Sequence, residues 1–168
     1  MQRAYDTCLE MLEQRNYEIL EPADDRITAL KPDNTQVIVF LSDSSKFNVK
    51  NIQMYITIMD ELQIFHSIIV YKDSITAFTK KAIEQSLEMT FERFAVKDLQ
   101  YNITKHILQP KFECVPTDEA TQFKKKFGNR FPTLRRDDPI SRFYAYNKGD
   151  VIKITRLNDY ISYRILPV

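Results

Sequence analysis

Gly128 and Gly149 are the only glycines in this chain of 168 residues. Glycine lets a backbone turn through positive φ or approach a phosphate closely. A P-loop and a dinucleotide-binding fingerprint each need several glycines within a few residues. Two glycines so far apart can build neither, and most nucleotide-dependent chemistry is excluded with them. Turns therefore fall to proline, asparagine and aspartate. They stand at Pro22-Ala23-Asp24-Asp25, Lys31-Pro32-Asp33-Asn34, Asn147-Lys148-Gly149-Asp150 and Leu157-Asn158-Asp159.

Between these turns the apolar pattern predicts an α/β (α+β) chain. Residues 2–15 read as a helix, with Tyr5, Cys8, Leu9 and Leu12 on one face. Tyr17–Leu20 is a short strand stopped by Glu21-Pro22. Ile27–Leu30 and Gln36–Leu41 form a hairpin. Asn48 caps a helix running to Leu62, buried through Val49, Ile52, Ile56, Met59 and Leu62. The strand Ser67–Tyr71 follows, so a parallel crossover is allowed. Ser74 is expected to cap a helix over 75–90, with Ile83, Leu87, Phe91 and Phe94 facing inward. Leu99–Thr104 alternates and reads as a strand, and 105–116 as a connection holding Pro110 and Pro116.

Further on, Thr117 is expected to cap a helix that Gly128 ends, with Phe123 and Phe127 on one side and Lys124, Lys125 and Lys126 complementing its dipole. Asp138 before Pro139 predicts a short helix with proline at its first position. Val151–Arg156 and Tyr160–Leu166 predict a hairpin, in which Asn158 or Asp159 takes positive φ. The expected organisation is an N-terminal α/β domain over 1–100 and a small C-terminal domain over 101–168, with a hairpin-containing sheet and short helices.

Charge follows this division. Residues 1–110 hold 12 Lys/Arg against 16 Asp/Glu, and residues 111–168 hold 12 against 7. That asymmetry suggests two units with different surroundings, without the dense basic stripe of a strong nucleic-acid binder. The opening MQRAYDTCLEMLEQ has no continuous apolar stretch of the kind a secretory leader carries. The longest apolar run, Val37–Leu41, is far too short to span a bilayer. An intracellular setting without membrane contact is expected.

The search for chemistry predicts no catalytic, cofactor-binding or metal-ligating residue. Cys8 and Cys114 lack metal-site spacing and read as buried free thiols. His66 opens an apolar strand and reads as structural, and no nucleophile or carboxylate is tied by motif to it or to His106. Asp24, Asp25, Asp33 and Asp43 flank the first hairpin, which raises a metal-dependent nuclease. The next strand, Gln36–Phe40, lacks the second acid and the lysine such enzymes use. The lysine run and Arg135-Arg136-Asp137-Asp138 leave a stand-alone nucleic-acid-binding protein as the other alternative.

The C-terminal segment carries a specific pattern. Pro132 is followed by Asp138-Pro139-Ile140-Ser141-Arg142-Phe143. Gly149 is followed by Val151-Ile152-Lys153-Ile154-Thr155-Arg156, and then come Tyr160 and Tyr163-Arg164. This block resembles the fifth-largest subunit shared by eukaryotic RNA polymerases I, II and III, and the small archaeal polymerase subunit that corresponds to its C-terminal domain. Upstream, Asn102-Ile103-Thr104-Lys105-His106 with Leu108 and Pro110 resembles the family's junction between its two domains. Residues 1–100 suit its jaw domain by element order alone. Ala145 departs from the usual glycine after the aromatic pair. The final hairpin connection is about four residues shorter than usual, and the region near Gly128 is trimmed. These departures point to a divergent lineage, such as a large DNA virus with its own transcription machinery.

The resemblance implies a non-catalytic subunit without cofactor or small-molecule substrate. Its C-terminal domain would dock on the largest polymerase subunit and assemble with the others, and its jaw would approach downstream double-stranded DNA. The implied assembly residues are Pro132, Asp138, Pro139, Arg142, Phe143, Gly149, Lys153, Arg156, Tyr160, Tyr163 and Arg164. Some of Arg142, Lys153, Arg156 and Arg164 are expected to form ion pairs with Asp138 or Asp150, inside the domain or across the interface. The implied location is the nucleus for a cellular protein, and the virion and cytoplasmic factory for a viral one.

Overall fold

The computed structural model describes every residue except Asp24, Leu87, Asn129, Arg130 and Val168, with Glu21 and Pro22 described by backbone alone. Two expectations lie outside the described residues, the turn role of Asp24 and the inward-facing Leu87. The chain divides into two compact units, Met1–Tyr101 and Asn102–Val168.

The first unit runs α1 (Gln2–Gln14), β1 (Glu18–Pro22), β2 (Arg26–Leu30), β3 (Gln36–Ser42), β4 (Lys46–Phe47), α2 (Val49–Leu62), β5 (His66–Tyr71), β6 (Ser74–Ile75), α3 (Ala77–Gln85) and β7 (Thr90–Ala95). Five strands form one sheet in the order β1-β2-β3-β5-β7. The first three are antiparallel, and β3, β5 and β7 are parallel. Helices α2 and α3 make the two parallel crossovers. β3 and β5 are buried almost throughout, which accounts for the near-continuous apolar runs in the sequence. Ile38, Phe40 and Ile69 pack against Ile52, Tyr55 and Met59 of α2 and Ile83 of α3. Phe40 and Tyr55 stack with centroids 4.0 Å apart.

Asn48 caps α2 through Lys50 and Asn51, and Asn51 answers to the Asn48 N–H, so helix and cap fall where expected. Its buried face differs: Tyr55 lies inside, while Leu62 is half exposed. On α1, Ala4, Thr7, Cys8, Met11 and Leu12 are buried, whereas Tyr5 and Leu9 are only partly so. β1 continues through Pro22, with a register shift between Ile19 and Glu21. An edge strand tolerates a residue without an N–H.

Three expectations are corrected here. No single helix covers 75–90: Ser74-Ile75 pairs with Lys46-Phe47, Thr76 caps α3, and α3 ends at Gln85. The apolar spacing of Ile83, Phe91 and Phe94 mimicked one long helix, but Phe91 and Phe94 belong to strand β7. Leu99–Thr104 is no strand: 3-10 turns occupy Val96–Leu99 and Ile103–Lys105. Asn102 Oδ1 accepts from the Thr104 N–H at 2.9 Å and from its hydroxyl at 2.6 Å. That local closure competes with strand pairing.

β7 evaded the sequence because Glu92 and Arg93 sit in its middle. Arg15, just past α1, has a side chain only 3% exposed and grips Glu92 with two hydrogen bonds, at 2.8 and 2.7 Å. His66 Nε2 lies 2.8 Å from the same carboxylate. Burial alone would push the Glu92 pKa up. The His66 hydrogen bond and the Arg15 charge overcome it and hold Glu92 at about 2.

Breaking this cluster strands a buried guanidinium. Glu92→Gln is expected to destabilise the N-terminal unit by roughly 3–5 kcal/mol at neutral pH, read by urea unfolding. The folded pKa lies below the ordinary 4.5, so the contribution is full above pH 4.5 and is lost toward pH 2. The gap between wild type and Glu92→Gln should close over that window.

Candidate assembly interface

The second unit opens with β8 (Lys111–Cys114), a strand inside the expected connection, followed by α4 (Thr117–Phe127), α5 (Pro139–Phe143), β9 (Val151–Thr155) and β10 (Ile161–Ile165). β8 is four residues long and lies between Pro110 and Pro116, so its alternation was too brief to read. The sheet order is β10-β9-β8, all antiparallel. Thr133 adds a parallel bridge to Ile165, extending the β10 side. Leu134, Ile152, Ile154 and Leu166 form one core cluster bordered by Phe112 and Tyr146, and Ile140, Phe143 and Val151 are buried too.

Most of the eleven predicted interface residues hold this unit together. Asp138 Oδ1 accepts from the Ile140 N–H at 2.9 Å, and Pro139 takes the first helical position. Phe143 is buried. The Pro132 carbonyl accepts from Ile165, and Arg164 Nη1 donates to the Thr133 carbonyl at 3.0 Å. Gly149 has φ +83°, donates to Leu166, and accepts Lys124 Nζ at 2.6 Å. A Cβ there would meet only ordinary contact, so the positive φ is what calls for glycine.

The two carboxylates expected as ion-pair partners accept backbone N–H groups. Asp138 caps α5, and Asp150 Oδ2 accepts the Asn147 N–H at 2.7 Å. Arg135 takes Asp137. Lys111 at 2.7 Å holds Glu113 below the usual carboxylate range, and Lys153 adds to this from the neighbouring strand.

Tyr163 sits opposite Lys153 in the hairpin register. Its ring joins a cluster that the sequence signalled only through Phe123 and Phe127. Phe123 lies 4.5 Å from Tyr163, 4.8 Å from Phe127 and 4.8 Å from Phe131. α4 begins at Thr117 with Pro116 as its cap residue, so the expected Thr117 hydroxyl cap is absent: Pro116 supplies the first carbonyl, to Ala120, while Val115 bonds Val151. Arg156 and Tyr160 remain exposed at the β9–β10 turn, where Asp159 has φ +58°. Cys114 is exposed, not buried as expected.

Elsewhere, Asp33 accepts the Thr35 N–H and Asp43 pairs with Lys72. Among the described residues no three His, Cys, Asp or Glu side chains come together to hold a metal ion. No described helix is long and apolar enough to cross a membrane.

Residues 101–166 match the family model described as RNA polymerase Rpb5, C-terminal domain. A chain of Invertebrate iridescent virus 6 that carries the name of a DNA-directed RNA polymerase subunit is 34% identical, over 98% of both chains. The Dictyostelium discoideum subunit of RNA polymerases I, II and III is 35% identical, over 80% of this chain and 74% of its own. An Arabidopsis thaliana RNA polymerase V subunit is 28% identical, over 97% and 82%. This chain belongs to the Rpb5 family.

Membership gives the departure at Ala145 a physical meaning. After α5 the backbone turns left-handed at Ala145, with φ +53°, and its N–H returns to the Arg142 carbonyl while Tyr146 returns to Ser141. This is the helix-ending position where glycine avoids a steric cost. Ala145→Gly is expected to stabilise the C-terminal unit by about 0.5–1.5 kcal/mol, seen as a raised thermal midpoint. Asp138→Ala should cost about 1 kcal/mol by the same measurement.

Proposed function

We propose that this chain is a non-catalytic subunit of a multisubunit DNA-directed RNA polymerase, docking on the largest subunit through its C-terminal unit. The observation that carries the proposal is likeness to polymerase subunits over nearly the whole chain, together with a motif block spent on shaping a small sheet rather than on a reactive site. Asp138, Pro139, Phe143 and Gly149 set the backbone. Arg156 and Tyr160 stand outward, available to other polymerase subunits.

The jaw role belongs to the same proposal. β4 pairs with β6 in parallel, so the starts of α2 and α3 come together at the carboxyl ends of β3 and β5. Lys46, Lys50, Lys72 and Lys80 lie on these segments and are exposed. Cations and helix starts suit the phosphates of downstream duplex DNA. The chain would work in the nucleus of a cell, or in the virion and cytoplasmic factory of a virus.

Affinity purification tests docking: a tagged chain expressed in its native host should bring down the largest polymerase subunit, and recovery of the chain alone would refute the proposal. Lys46→Glu/Lys50→Glu should leave that recovery intact while weakening crosslinks to downstream DNA in the assembled enzyme. Tight, salt-sensitive DNA binding by the isolated chain would favour a stand-alone nucleic-acid-binding protein instead.

A further inference from the structure

The last turn of α4 brings cations and aromatic rings together. Residues 120–136, between Glu119 and Asp137, hold six Lys/Arg and no Asp/Glu. Phe123, Phe127 and Phe131 are interleaved with these cations. Lys124 donates to the Gly149 carbonyl and Arg135 holds Asp137, whereas Lys125, Lys126 and Arg136 are exposed.

Tyr163 of β10 closes the aromatic set. Phe123 stacks with Phe131 and packs against Tyr163, and these three rings are only partly exposed. Phe127 leans on Phe123 and meets Phe131 edge-on at 6.1 Å, yet it is 53% exposed. Lys126 Nζ lies over the Phe127 ring, 5.2 Å from its centre. One large ring therefore stands out from neighbours that fix it, with an ammonium at its face. A surface ordered before binding loses less entropy on binding.

Carboxylates are sparse on this side. Glu113 is the only one in β8, β9 and β10, and Lys111 and Lys153 hold it below the usual carboxylate range. Asp118 and Glu119 lie in the first turn of α4, at the other end of the helix. Asp159 lies in the turn ahead of β10.

Charge and shape together name the occupant. Cations without acids among them suit phosphate. A lone exposed ring suits a base, since every base has a face to stack. A duplex hides those faces, and a membrane surface calls for a wider apolar face than one ring.

We propose that the end of α4 binds single-stranded nucleic acid, with a base stacked on Phe127 and the flanking phosphates held by Lys125 and Lys126. Lys126 Nζ leaves the ring for a phosphate as the base arrives. RNA and DNA single strands share this chemistry. The site adds to the polymerase-subunit reading and does not depend on it.

Fluorescence anisotropy with the full chain tests the site, using labelled oligo(U) and oligo(dT) of about ten nucleotides and a DNA duplex. Single strands should bind with a Kd on the order of 10 μM near physiological salt, and the duplex more weakly. Binding this weak differs from the tight duplex binding expected of a stand-alone DNA-binding protein. Binding of oligo(U), oligo(dT) or both supports the site and says which sugar it takes. Phe127→Ala should weaken binding at least about fivefold, and Phe127→Trp should retain it. Lys125→Ala/Lys126→Ala should lower the slope of log Kd against log salt by about 1.4. All three variants should melt like wild type by circular dichroism. Failure of both single strands to bind, equal binding by folded Phe127→Ala and wild type, or a duplex bound as tightly as the strands would overturn the site and leave the subunit reading standing. Should Phe127→Ala misfold, an unchanged salt slope in the double lysine variant overturns it alone. Binding to phosphatidylserine vesicles without binding to oligonucleotides would give the ring to a membrane surface, and a Phe127-dependent dimer that excludes the strands would give it to a second copy; either result overturns the proposal.

Discussion

The N-terminal unit depends on a charge buried in the right company. β7 completes the parallel part of the sheet only if Glu92 can lie within it. Two hydrogen bonds from Arg15 and one contact with His66 make that possible, tying the end of α1 to the start of β5 and the middle of β7. A hydrophobic trio could fill the same space at no loss of stability in principle. What the ionic trio adds is register, because a slip of β7 by one residue would turn Glu92 to the other face.

The C-terminal unit solves a different problem, tight turning with little glycine. Asp138, Asp150 and Asn158 place side-chain oxygens on backbone N–H groups. Gly149, Ala145 and Asp159 supply positive φ. The side chains expected to form ion pairs thereby also build the turns.

These two solutions explain what was legible in the sequence. Asn48 with α2, the first hairpin, Asp138-Pro139 and the final hairpin could all be read, because each pairs a strong local signal with a clear apolar period. β7 could not, since its middle is charged and its partners are 77 and 26 residues away. β8 was too short between prolines. The implied assembly residues were legible as a family pattern, but not the internal roles of Asp138, Phe143 and Gly149. Pro132, Asp138, Phe143 and Gly149 mark the scaffold, whereas Leu157 and Ile107 belong to no motif and announce themselves only when nothing covers them.

That separation has a physical logic. A unit as small as Asn102–Val168 buries only a modest share of its surface, and its described buried apolar residues include Leu134, Ile140, Phe143, Val151, Ile152, Ile154 and Leu166. Placing Leu157 or Ile107 in that core would add to its buried apolar area, yet both are exposed. Held outward on hydrogen-bonded turns, the same side chains lose water only when a partner covers them. The motif therefore constrains backbone, and a hairpin turn such as Leu157-Asn158-Asp159 can change in length without disturbing the β9–β10 register beneath it.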